Sequence, residues 1–136
     1  MNVVALRLNP GEDLKQSLVR YCCDRKIEAA YILSCVGSLR RAVLRFSNHP
    51  NGTVLERTLE ILSLSGTLSR HGAHLHMAVS DSEGRVTGGH LMDTSLIYTT
   101  AEIVLGIVPN TVFKRETDPL TGYRELTILK QVEPLG

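Results

Sequence analysis

The chain has few cysteines, almost no net charge and no long apolar run, and each shortage removes a class of protein. Only Cys22, Cys23 and Cys35 occur in its 136 residues. Their number is odd, two are adjacent and none forms a Cys-x-x-Cys pair, which excludes a disulfide framework and a zinc ribbon. Buried free thiols in a reducing compartment are expected. Fifteen Lys and Arg stand against fourteen Asp and Glu, for a formal net charge of +1. Tight, autonomous DNA binding draws on clustered cations at the phosphates, and the basic residues here gather no further than the pairs Arg25-Lys26, Arg40-Arg41 and Lys114-Arg115. The longest apolar stretch, Ile103 to Pro109, is far too short to cross a bilayer. Met1 to Arg7 lack a charged segment followed by a long apolar one, so no signal peptide is expected. A cytoplasmic protein with no membrane partner fits these absences. There is no P-loop, no dinucleotide fingerprint around Gly88-Gly89 and no nucleophile elbow at Ser63 or Ser65. Without linker, internal repeat or low-complexity segment, residues 1–136 are expected to form one domain.

Strands dominate what is present. Val3 to Leu8 alternates, and Asn9-Pro10-Gly11 turns the chain. Asp13 with Gln16 three residues later resembles a capping box, after which Leu14, Leu18, Cys22 and Val19 recur at helical spacing to about Ile27. Beyond Ala29 the period becomes that of strands. Ala30 to Val36 is interrupted by Gly37-Ser38, and Leu39 to Phe46 resumes with Ala42, Leu44 and Phe46 on one face. Asn48 to Gly52 is a turn containing a solvated His49. Val54 to Leu64 follows, broken or bulged at Ser65-Gly66; later strands are expected at His74–Ser80, Arg85–Met92, Glu102–Val108 and Tyr123–Val132. Asp118 to Gly122 reads as the last hairpin turn. One early helix followed by many strands predicts an α+β domain with a large, mostly antiparallel sheet.

Chemistry concentrates in the histidines. In Gly72 to Ser80 the alternation puts Leu75, Met77 and Val79 on one face and His74, His76 and Ala78 on the other. If Ser82, Glu83 and Gly84 form a three-residue loop, Asp81 pairs with Arg85 and His76 falls opposite His90. His74 is then the diagonal neighbour of His90, at about 7–8 Å between backbones, and three imidazoles crowd one face. Gly88-Gly89 leaves space there, and equally offers a place for a bulge. Three neutral imidazoles suit zinc, or another borderline divalent metal such as nickel or copper, with a fourth position open to water or a small-molecule ligand. The ordinary alternative is a set of hydrogen-bonded surface or interface histidines. His71 reads as a bystander in the preceding turn. Asp93 and Glu102, the first carboxylates after His90, are candidates to orient a ligand or handle a proton.

These residues carry a family resemblance. Leu59-Glu60-Ile61-Leu62-Ser63-Leu64-Ser65-Gly66, His74-Leu75-His76, Gly84-Arg85-Val86-Thr87-Gly88-Gly89-His90 and Ala101-Glu102-Ile103-Val104-Leu105-Gly106 together resemble the plant- and prokaryote-conserved domain, over nearly the whole chain. The resemblance implies one helix packed on a large antiparallel sheet and assembly as a homotrimer. It also implies a metal at His74, His76 and His90. Plant members act on AT-rich DNA through AT-hook segments, and stand-alone bacterial members carry a DNA-binding label. No AT-hook occurs here, and the family's Gly-Arg-Phe-Glu-Ile-Leu block is replaced by Arg57-Thr58-Leu59-Glu60-Ile61-Leu62. The resemblance therefore implies an oligomeric metal-binding module with a transcription-associated role and DNA as a candidate partner. The alternative is a small three-histidine zinc metalloenzyme acting on a small molecule. Its catalytic residues are not identifiable from sequence.

Overall fold

The computed structural model describes residues 2–131. In chain order the elements are β1 (Asn2–Leu8), α1 (Leu14–Asp24), β2 (Ala30–Arg45), β3 (Thr53–Leu55), β4 (Leu59–Ser69), β5 (Gly72–Ser80), β6 (Val86–Leu91), β7 (Leu96–Ile107), β8 (Thr111–Thr117) and β9 (Arg124–Lys130). This is the expected α+β arrangement of one helix on a large antiparallel sheet.

Asp13 caps α1, its side chain accepting the amide of Gln16. The helix stops three residues short of Ile27 because Lys26 turns left-handed at φ 55°. The Lys26 amide then donates to Cys23 O and the Ile27 amide to Cys22 O, satisfying the carbonyls of the last turn. Leu14, Leu18 and Cys22 are fully buried and join one core cluster with Leu68, Leu75, Ile103 and Leu105. Each such leucine contributes about 1.5–3 kcal/mol by leaving water. The helix lies against β4, β5 and β7.

The main sheet runs β1-β7-β2-β4-β5-β6, with β3 added to β2. Strand β2 does not break at Gly37-Ser38; it continues through register shifts beside Ile32, Gly37 and Leu39. Those irregularities bend it, so that Ala30 to Leu39 pairs with β4 while Leu44 and Arg45 pair with β6. Strands β2, β4, β5 and β6 thereby close a ring of pairings, which leaves β6 without a free edge at its end.

Three other expectations need correction. The run from Val54 to Leu64 is two strands, β3 and β4, parted at residues 56–58, a corner through which the sequence alternation reads on. Ser65-Gly66 does not end β4. Gly66 sits inside it at φ 136°, where a Cβ would come within 2.0 Å of His74 O, and the bulge lies between Ile61 and Ser63. Strand β7 begins at Leu96, six residues before Glu102, because its polar Thr99 is satisfied by Ser38 Oγ at 2.9 Å. The hairpin turn at Asp118 to Gly122 joins β8, which weak apolar alternation concealed, to β9. Val132, the expected end of that last strand, lies outside the described residues.

Candidate metal centre

Alternation along β5 buries Leu75, Met77 and Val79 and leaves His74 and His76 exposed on the other face. The loop into β6 has the expected form. Asp81 and Arg85 pair through Asp81 N to Arg85 O at 3.0 Å, and Gly84 adopts φ 78°. This sets the register, with His76 directly opposite His90 and no bulge along β5–β6. The space at Gly89 serves the neighbouring strand: a Cβ there would lie 2.8 Å from Arg45 O. Glycine thus lets β2 close onto β6 beside the histidines.

The three imidazoles converge. Ring centroids are 4.9 Å apart for His74–His76, 5.1 Å for His74–His90 and 5.7 Å for His76–His90. One nitrogen from each ring lies within 4.8 Å of the other two. The Nε2 atoms of His74 and His76 are 3.2 Å apart. A tetrahedral cation with bonds of about 2.0–2.1 Å holds its nitrogens about 3.3 Å apart. The His74–His76 pair already has that spacing, and the three nitrogens together, within 4.8 Å of one another, form a group that could hold such a cation once drawn closer. The same contact also suits one imidazole N–H donating to the other ring's nitrogen.

The surroundings of His74 and His90 favour their neutral forms. Burial, then the charge of Arg45, with His74, Lys15 and His76 adding to it, pushes His90 down to about 4. His74 is lowered by burial first, then by His76 and Arg115, with Lys15 adding and Glu125 opposing. Neutral imidazole is the form that ligates a metal.

His74 and His90 open into a cleft of about 840 Å³ walled by α1, the end of β2 and the β8–β9 hairpin. Asp93 lines it, as expected of a nearby carboxylate. Glu102 does not; it pairs in register with Arg7 and Val36 and borders a separate groove beside β1. Its position on β7, with β1 and β2 on either side, carries it away from the histidines. His71 lines the cleft too, but its Nε2 is 3.0 Å from Glu28 Oε2, an ion pair when protonated. Cys22 and Cys35 are buried as expected, whereas Cys23 is exposed and lies on the cleft wall.

Sequence reasoning missed Arg45, Arg115 and Glu125. Arg45 was accessible in principle, because the alternation that groups it with Arg41 and Val43 also fixes its face, and it registers against His90. Arg115 donates from Nη2 to Thr67 Oγ1 at 2.8 Å, and Thr67 is the cross-strand partner of His74. No local signal in the sequence places the hairpin over that strand.

Comparison with known proteins agrees with this architecture. Residues 1–109 match the profile of the Plants and Prokaryotes Conserved (PCC) domain. A hypothetical protein from Salmonella enterica is 39% identical, with a TM-score of 0.92 over 96% of this chain and 95% of its own. A metal-containing protein from Archaeoglobus fulgidus is 29% identical, with a TM-score of 0.79 over 93% of this chain and 94% of its own. The bifunctional protein GlmU of Synechococcus sp. strain JA-3-3Ab is 50% identical over 133 residues, 98% of this chain. The chain spans only 21% of that protein's length.

Proposed function

The chain belongs to the Plants and Prokaryotes Conserved domain family, and from that membership we propose that it is an oligomeric metal-binding module whose ion is held by His74, His76 and His90. The convergence of three ring nitrogens within 4.8 Å carries the reading. All-imidazole ligation favours zinc or a neighbouring divalent transition metal over magnesium or calcium, which take oxygen donors. Three protein ligands leave a fourth position, and the cleft gives a small molecule access to it. The metal-containing description of the Archaeoglobus relative supports the same reading. Elemental analysis of untagged protein beside a His76→Ala variant tests it. About one ion per wild-type chain and loss in the variant are expected; equal content in both removes the claim.

The homotrimer belongs to the proposal as well. Val3, Val36, Leu62 and Tyr98, on four strands of the main sheet, are each about half exposed or more, at 51, 59, 53 and 49%. Exposed apolar side chains of this kind are consistent with a face that another copy covers.

A metalloenzyme is the second reading, favoured by the carboxylates of Asp93 and Glu125 on the cleft wall. A bound cation would bring the pKa of a coordinated water toward about 7, and either carboxylate is then a candidate base. Ester hydrolysis that disappears in Glu125→Gln or Asp93→Asn, with metal content unchanged, would support it. No turnover at full metal loading would leave the binding module.

A further inference from the structure

The cleft is more strongly cationic than the chain that forms it. Lys15, Arg20, Arg45, Arg115 and Arg124 line it against two carboxylates, Asp93 and Glu125, whereas the whole chain carries a formal net charge of only +1. Arg45 and Arg115 occupy opposite margins of the imidazole cluster. Arg45 is the direct cross-strand neighbour of His90 on β2. Arg115 reaches in from β8 and is fixed by Thr67, the cross-strand neighbour of His74. Both are partly buried. Among the described residues no carboxylate pairs with Arg45, Lys15 or Arg20.

This arrangement is unfavourable for a cation on its own. Three neutral imidazoles leave the charge of a divalent ion uncompensated by its own ligands, and Arg45 and Arg115 add positive charge beside it that Glu125 offsets only in part. Like charges in such surroundings repel far more strongly than in water. An anion resolves the conflict, because it can ligate the ion and pair with the guanidiniums together. Guanidinium forks bind carboxylate and phosphate through paired N–H donors.

We propose that the cleft is the binding site of a small oxyanionic ligand, a carboxylate- or phosphate-bearing molecule, with one oxygen on the metal's open position and its remaining charge held between Arg45 and Arg115. The proposal rests on the metal reading above. It makes the β8–β9 hairpin a specificity element. The histidines and Arg45 lie within the 1–109 match to the family profile, while Arg115 and Arg124 lie beyond it. A family member with a different hairpin would then keep the ion and change its ligand.

Isothermal titration of metal-loaded, full-length protein with malonate and with inorganic phosphate tests this, with metal content measured on every sample. Saturable binding of at least one anion is expected. Arg45→Met and Arg115→Met should each weaken it by about tenfold or more with the ion retained. Arg45→Lys and Arg115→Lys, which keep the charge and safeguard against a folding defect, should lose less. No binding to loaded wild-type protein overturns the proposal, as does binding indifferent to both arginines. If wild-type protein takes up no metal, the metal reading fails separately, and binding by the metal-free protein that depends on both arginines decides for or against the anion site. An AT-rich duplex that displaces malonate and binds more tightly at about 0.15 M salt would assign the cations to nucleic acid instead.

Discussion

His74 and His76, two residues apart on β5, bring their Nε2 atoms to 3.2 Å, with His90 completing the group from β6. Same-face residues of one strand ordinarily stand side by side and diverge into solvent. Here both rings lean together, and the third meets them because the register sets His76 opposite His90. Removing any one ring leaves two ligands, so His74→Ala, His76→Ala and His90→Ala should each weaken zinc binding by at least about 100-fold. Competition with a chromophoric chelator would measure it. Circular dichroism should stay unchanged for His74→Ala and His76→Ala, whose rings are exposed. A variant that retains wild-type affinity would remove that ring from the ligand set.

Most of the candidate site was legible because its parts are local. The alternation of β5 and the length of the loop to β6 together determine which side chains meet, and both are written within His74 to His90. The cleft was not legible, since its walls depend on long-range packing. The bend in β2 that carries Arg45 to His90 follows from irregularities spread between Ile32 and Arg41. The position of the hairpin is set by contacts such as Ser69 Oγ donating to Phe113 O at 2.7 Å, across 44 residues. Periodicity also failed where its assumption failed: Glu56 to Thr58 turns a corner without disturbing the alternation, so two strands read as one.

Asp13 should matter more than a helix cap alone. Its Oδ1 accepts the Gln16 amide at 3.1 Å, and its Oδ2 accepts the Thr94 amide at 2.7 Å, tying the start of α1 to the turn before β7. Thr94 holds φ 64°, a conformation that costs a non-glycine residue energy and needs such support. Asp13→Ala should therefore lower stability by about 1–2 kcal/mol, at the upper end for a lost cap. Asp13→Asn keeps one acceptor oxygen and should lose less. Urea midpoints at equal slope would decide; an Asp13→Asn midpoint equal to that of the wild type would show that the Thr94 contact contributes nothing.

The proposed assembly has a direct measurement. Light scattering on a sizing column should give three times the 15.0 kDa chain mass. A charge on the exposed apolar surface, as in Val36→Asp or Leu62→Asp, should shift that mass toward the monomer if the surface is covered by another copy. A monomeric wild-type protein at tens of micromolar would discard the trimer while leaving the metal centre standing.

Cys22 and Cys35 supply a pH dependence that is independent of the metal. Burial raises both thiols from the ordinary value of 9.0 to about 11, and Cys23 adds to the effect at Cys22. Between those limits the unfolded chain loses these protons while the folded chain keeps them. The unfolded state thus binds fewer protons, and stability must fall as pH rises. The contribution is fully present below about pH 9 and disappears as pH climbs through 11. Urea midpoints of metal-free protein should accordingly drop from pH 8.5 to pH 10.5. Alkali acts on more than the thiols, so the informative quantity is the difference from Cys35→Ala and Cys22→Ala. Each variant loses packing and starts from a lower midpoint, but its decline with pH should be shallower than that of the wild type. Parallel declines would mean that the thiols ionise in the folded protein as readily as in the unfolded one, and that water reaches them.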